Sequence, residues 1–149
     1  MLSNIAAGTR SQIQALIDAD VIAGLVSMMS TQNDFATRKE AAWAIANVSH
    51  GSPAQIQCIV QHECLPALCG LLGVMDPLLT SIGGVVLDAL GRILRSGARE
   101  THDEEASVNR MVALVQSIPD GVYRIKRLQQ HDNTDLRAQA AKIVNRYGF

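Results

Sequence analysis

The chain repeats itself at an offset of 43 residues. The stretch SNIAAGTRSQIQALIDADVIAGLVSMM (3–29) matches ANVSHGSPAQIQCIVQHECLPALCGLL (46–72), with Asn4 over Asn47, Gly8 over Gly51, Gln12-Ile13-Gln14 over Gln55-Ile56-Gln57 and Leu25 over Leu68. Apolar positions keep the same phase: Ile5 with Val48, Leu16 with Ile59, Ile17 with Val60 and Ile22 with Leu65. A fixed period means one supersecondary unit copied along the chain. Such a unit cannot bury its apolar face alone and must stack on its neighbours, so the expected shape is a solenoid rather than a closed globule.

The period lies within the roughly 40–47 residues of HEAT and armadillo repeats. Aromatic residues make up 3% of the chain, so Ala and aliphatic side chains must fill the core, which favours helices. The pattern predicts three helices per period, the armadillo plan rather than the two-helix HEAT plan. In the first period these run over about 9–19, 20–30 and 34–50. In the second, Ser52 caps and Pro53 opens a helix with Ile56, Ile59 and Val60 on one face. Another runs from Leu65 to Leu72, and after a break at Met75-Asp76-Pro77 a longer one reaches about Ser96. The polar hinge GARETHDEE (97–105) suits the start of a helix with its acidic residues. Helices over about 106–117, 120–130 and 134–146 complete the chain. The expected organisation is one all-α armadillo domain forming a right-handed superhelical solenoid: a partial repeat (about 1–8), repeats at about 9–51 and 52–98, and a capping repeat at about 106–149. The heavier charge of the last set suits a terminal repeat that must show one side to water.

Charge and composition narrow the function. A formal net charge of -1 offers no surplus of cations for a nucleic-acid backbone, so nucleic acid is not expected as a partner. No apolar run is long enough for a membrane span, and no membrane partner is expected. Three cysteines without an export signal read as reduced thiols. His50, Cys58, His62, Cys64 and Cys69 lack the paired spacing of a zinc site, and Cys58 and Cys64 fall at phases held by Ala15 and Val21. Nothing marks a nucleophile with its base, or a phosphate loop. The expectation is a non-enzymatic chain with no metal or cofactor.

A candidate binding face lies on the third helix of the first period, TRKEAAWAIANVSHG. At about 100° per residue, Glu40, Trp43 and Asn47 fall within about 60° of one another, opposite an apolar stripe of Ala41, Ile45 and Val48. An indole beside a carboxylate and an amide suits an extended basic peptide. The ring takes the stem and charge of a Lys or Arg, the carboxylate takes the cation, and the amide pairs with main chain. Asn4, one period before Asn47, would continue an amide ladder. The alternative is that Trp43 is a packing residue between helices.

SNIAAGTRSQIQALIDA, TRKEAAWAIANVSHGSPAQIQCIV and LPALCGLLGVMD closely resemble the C-terminal armadillo repeats of the importin-α (karyopherin-α) family. The likeness loosens after Thr80 and returns in NRMVALVQ and RIKRLQQHDNTDLRAQAAKIVNRYGF. The resemblance implies an adaptor that shuttles between cytoplasm and nucleus, binding basic nuclear localisation signals of cargo proteins. It implies that Trp43 and Asn47 match the family's W-x-x-x-N, that Glu40 matches the acidic position before it, and that Asn4 matches the preceding repeat's asparagine. These repeats correspond to the minor signal site. Importin-β would bind through a region absent here, and the last repeats would contribute to a nuclear export receptor contact. The competing reading is an armadillo scaffold without signal binding.

The next repeat departs from this pattern. Aligning LDALGRIL with AWAIANVS puts Asp88 at the Trp phase and Arg92 at the Asn phase, where the two can pair at i, i+4 and end the peptide ladder. Gly83 and Gly84 inside that helix point to close packing or a kink, and the basic run Arg124–Arg127 to a solvated face, with an acidic-partner site as the alternative. One further expectation concerns the edge. If the chain begins at Met1, nothing covers Ile5, Ile13 and Ile17, and the exposed apolar edge promotes self-association.

Overall fold

The computed structural model describes residues 9–73, 78–99 and 109–149, and among them every regular element is helical. The first set comprises α1 (Arg10–Asp18), α2 (Ile22–Met28) and α3 (Phe35–Val48). The second comprises α4 (Pro53–Gln61), α5 (Cys64–Leu71) and α6 (Leu78–Arg99). The third comprises α7 (Arg110–Ser117), α8 (Gly121–Arg127) running into a 3-10 turn at Leu128–Gln130, and α9 (Thr134–Tyr147).

The repeated Thr/Ser and Gln positions open the first helix of each set. At α1 the Thr9 side chain accepts from the Gln12 amide at 3.4 Å, and the Gln12 side chain accepts from the Thr9 amide at 2.9 Å. Ser52 and Gln55 repeat this capping box at α4, at 3.3 and 3.0 Å, ahead of Pro53 in the first turn. Gln55 does more than its counterpart. Its side-chain amide donates to the Arg10 carbonyl at 2.9 Å and to Gln14 at 3.2 Å, tying α4 to α1 of the preceding set. Asp20 (φ 56°) and Glu63 (φ 62°), one period apart, both adopt left-handed backbone where the first helix reverses into the second. Asp120 (φ 59°) does the same between α7 and α8. Asp tolerates this conformation, whereas Glu63 holds it against its preference.

Like helices stack on like. The second helices α2, α5 and α8 form one row and the third helices α3, α6 and α9 another, with α6 in the middle. One continuous core runs through both rows, including Leu25, Ile45, Leu68, Leu90 and Ile143. Gly83 is explained by close packing: a Cβ there would lie 3.0 Å from Leu136 Cδ2 of α9. Asn109 caps α7 through the Met111 and Val112 amides at 3.0 and 3.3 Å, and donates to the Leu94 carbonyl at 2.8 Å, binding α7 to α6.

Several expectations need revision. Helix α6 runs to Arg99 rather than Ser96, and the helix after Pro119 ends at Arg127, tightening into a 3-10 turn. The break at 75–77 and most of the acidic hinge, with Asn4 and Ile5, lie outside the described residues. Ile13 is not an exposed edge residue: it is 2% exposed within the core, and Ile17 is half-buried. Nor is the basic run of α8 simply solvated. Arg124 donates to the Cys69 carbonyl at 3.2 Å and Arg127 to the Leu72 carbonyl at 3.5 Å, satisfying carbonyls at the C-terminal end of α5, where the helix dipole favours a cation.

Candidate functional site

Helix α3 owes its position to both of its ends and to small side chains along its length. Asp34 caps it, accepting from the Thr37 amide at 2.7 Å, and that bond, with a second from the Thr37 side chain, holds the Asp34 carboxyl below its usual range. The stem of Arg38 is buried, and its Nε donates to the Met29 carbonyl at 3.4 Å, at the end of α2. Ala41, Ala42, Ala44 and Ala46 are all buried with Ile45 and Val48, letting neighbouring helices approach closely.

Among the large apolar side chains of this helix Trp43 stands out at 41% exposure. Ala41, Ile45 and Val48, the apolar stripe expected from the sequence, are 0% exposed. Glu40, one turn before the indole, is exposed, and Asn47, one turn after it, is half-buried. Both are engaged in polar contacts. The three thus share one side of one helix, and Asn4 lies outside the described residues. An indole in this setting offers a flat apolar face with negative quadrupole to a cation and its alkyl stem.

On α6 the expected i, i+4 pair is present, with Arg92 Nη2 3.0 Å from Asp88 Oδ2. A contact that sequence spacing did not indicate joins the two helices: Arg92 Nη1 donates to Ser49 Oγ at 3.3 Å, just past the end of α3. Burial holds the Arg92 guanidinium below its ordinary range, Asp88 opposing and Arg95 adding to the effect. Burial, then the Arg92 charge, lowers His50 as well, against the pull of Asp88.

The thiols read as packing groups. Cys64 and Cys69 are 0% exposed, and burial pushes the Cys64 thiol up to about 12, helped by Cys69 beside it. Cys69 rises to about 11 by burial, with Arg124 opposing. Both are therefore neutral and poor nucleophiles near neutral pH. Among the described residues no three or more His, Cys, Asp or Glu side chains gather closely enough to hold a metal ion.

With this geometry in place, the comparisons agree with one another. The armadillo/beta-catenin-like repeat family model matches residues 9–50. Importin subunit alpha-4 of Arabidopsis thaliana is 39% identical over 98% of this chain and 27% of its own length. Importin subunit alpha-1b of Oryza sativa subsp. japonica is 40% identical over 98% of this chain and 35% of its own. The chain therefore spans about a quarter to a third of the length of these relatives. Among solved structures, a designed armadillo repeat protein superposes with a TM-score of 0.75 at 24% identity, covering 97% of this chain and 54% of that one. Another, a designed armadillo repeat protein in complex with the peptide (KR)4, gives 0.58 at 22% identity over 98% of this chain and 72% of its own. At those identities the likeness concerns the fold. The chain has the armadillo-repeat fold and is similar along nearly its whole length to importin-α subunits.

Proposed function

We propose that this chain is part of a nuclear import adaptor, and that Glu40, Trp43 and Asn47 take up a short basic segment of a nuclear localisation signal. The observation that supports it is the 41% exposure of Trp43 on a helix whose other apolar residues are largely buried. A packing tryptophan would be sealed between helices; this one keeps much of its surface for a ligand. The similarity to importin-α subunits supplies the direction, and the (KR)4 peptide in complex with one designed armadillo neighbour is consistent with it. Asn4, one period before Asn47, belongs to the same proposed site. Shuttling between cytoplasm and nucleus, a contact with an export receptor through the last repeats, and importin-β association through a region outside this chain complete the reading.

Magnitudes set the expected strength. A cation over a partly exposed ring contributes about 0.5–1 kcal/mol and each amide hydrogen bond about 0.5–1.5 kcal/mol, whereas a millimolar complex needs about 4 kcal/mol. One indole and its polar neighbours therefore bind weakly, and tight capture needs further repeats through added valency.

The test uses the chain's single tryptophan as its own reporter. Adding a Lys/Arg-rich peptide to millimolar concentration should shift the Trp43 emission in a saturable, salt-sensitive way, while an uncharged peptide of equal length leaves it unchanged. Trp43→Ala, checked by circular dichroism for an intact helix content, should abolish binding measured by calorimetry. Undiminished binding by that variant would remove Trp43 from the site.

A further inference from the structure

The open side of the solenoid changes sign beyond Asn47. Helices α6 and α9 border an open cavity of about 240 Å³ walled by Arg92, Arg95, Lys142 and Arg146, with Asp88 as its carboxylate. A second cavity of about 180 Å³ lies where α3 ends against α6; it shares Arg92 and Arg95 and adds Arg10 and His50. The two cavities adjoin at Arg92 and Arg95, forming a basic trough along α6 between the C-terminal end of α3 and α9. Asp88 offsets only one of these charges, because its carboxylate is paired with Arg92 at 3.0 Å. Arg95 and Lys142 are exposed and have no carboxylate partner among the described residues.

Basic side chains gathered in this way repel one another, and an anionic ligand relieves that repulsion. We propose that the trough binds a stretch of acidic peptide, with Asp or Glu carboxylates seated against Arg95, Lys142 and Arg146. Where the proposed Trp43 site also holds, the ligand is charge-segregated, basic at Trp43 and acidic one repeat further on; the second half of this statement rests on that earlier reading, the first does not. A peptide fits better than a free ion because Leu87, Ile143 and Tyr147 line the trough beside the cations, offering contact area to side-chain stems. It fits better than nucleic acid because the whole chain has a net charge of -1, with no surplus of cations for a phosphate backbone.

Three peptides distinguish the outcomes: one Lys/Arg-rich, one Glu-rich, and one joining both through a Gly/Ser linker, titrated into ¹⁵N-labelled protein and followed by amide shifts. The joined peptide should bind about tenfold or more tighter than the basic one at low salt, with the advantage shrinking as salt rises. The triple variant Arg95→Gln/Lys142→Gln/Arg146→Gln should erase that advantage while leaving the basic peptide's affinity unchanged. Glu-rich peptide should shift amides of α6 and α9 in the wild type and in Trp43→Ala alike. A joined peptide no tighter than the basic one, or an advantage that survives the triple variant, overturns the proposal. So does an oligonucleotide of equal charge that matches the Glu-rich peptide. Failure of the Trp43 reading shows itself separately, as basic-peptide binding insensitive to Trp43→Ala, and leaves the Glu-rich arm to decide the trough.

Discussion

Helices α3 and α6 hold the same place in consecutive repeats and share an inner side but not an outer one. Ala44 and Ala89, Ile45 and Leu90, Val48 and Ile93 stand 45 residues apart, and all six are 0% exposed. On the open side Trp43 gives way to Asp88 and Asn47 to Arg92. In a stack of repeats, packing constrains only the side that meets neighbours, so the other can be redressed without touching the core. That freedom lets one row of helices present an aromatic, amide-bearing surface and then a cationic one within a single repeat.

The claim of a common inner side exposes itself most sharply to truncation. Ile45→Ala and Leu90→Ala should each lower stability by about 2–5 kcal/mol, since each leaves a cavity in a fully enclosed position. Urea unfolding of the two variants checks this. Closely similar losses support equivalent roles; a much smaller loss at Leu90 would mean that α6 lies more loosely than α3 and that the likeness of the two helices stops at sequence.

A smaller effect separates the helices at their N-terminal halves. Where α3 has Arg38 and Lys39, α6 has Gly83 and Gly84. A Cβ at Gly83 would come within 3.0 Å of Leu136, itself 3% exposed, whereas at Gly84 the nearest atom is Gln139 Oε1 at 3.5 Å, an ordinary contact. Gly84→Ala should therefore raise stability by about 0.5–1 kcal/mol through the gain in helix preference. Gly83→Ala should gain less or lose, because Leu136 has to yield. Thermal unfolding ranks the pair, and a Gly83→Ala protein as stable as Gly84→Ala would remove tight α6–α9 packing as the reason for the first glycine.

Much of this was legible because it is local or periodic. The 43-residue offset gave the stack, Ser52-Pro53 the start of α4, and i, i+4 spacing the Asp88–Arg92 pair. The candidate Trp43 face followed from helix periodicity alone, and its exposure matches that expectation. What escaped was contact between positions far apart in sequence. Arg124 and Arg127 on α8 look like a solvated run, yet they reach carbonyls 55 residues earlier. Ser49 meets Arg92, and Gln55 meets Arg10, across similar gaps. Ile13 reads from the sequence as an unprotected edge, yet it joins the core that runs through the following helices. Side-chain bonds between stacked repeats follow from the superhelical offset, which no single period encodes.

The smallest effect expected is also the most direct probe of the change of sign between the two helices. His50 sits one residue past the α3 cap, in a cavity wall with Arg10, Arg92 and Arg95. Burial lowers its pKa below the ordinary 6.5, the Arg92 charge lowers it further, and Asp88 opposes both. A depressed histidine pKa means that the unfolded chain takes up the proton first, so this group's contribution to stability is present above about pH 6.5 and is lost as pH falls through the folded-state value. Arg92→Gln should raise the His50 pKa toward 6.5 without reaching it, because burial is the larger cause, and Asp88→Asn should lower it. Imidazole proton shifts followed from pH 4 to 8 would show both displacements. If Arg92→Gln lowered the value instead, the end of α3 would not feel α6 as a positive surface, and the contrast between the two helices would reduce to their shapes.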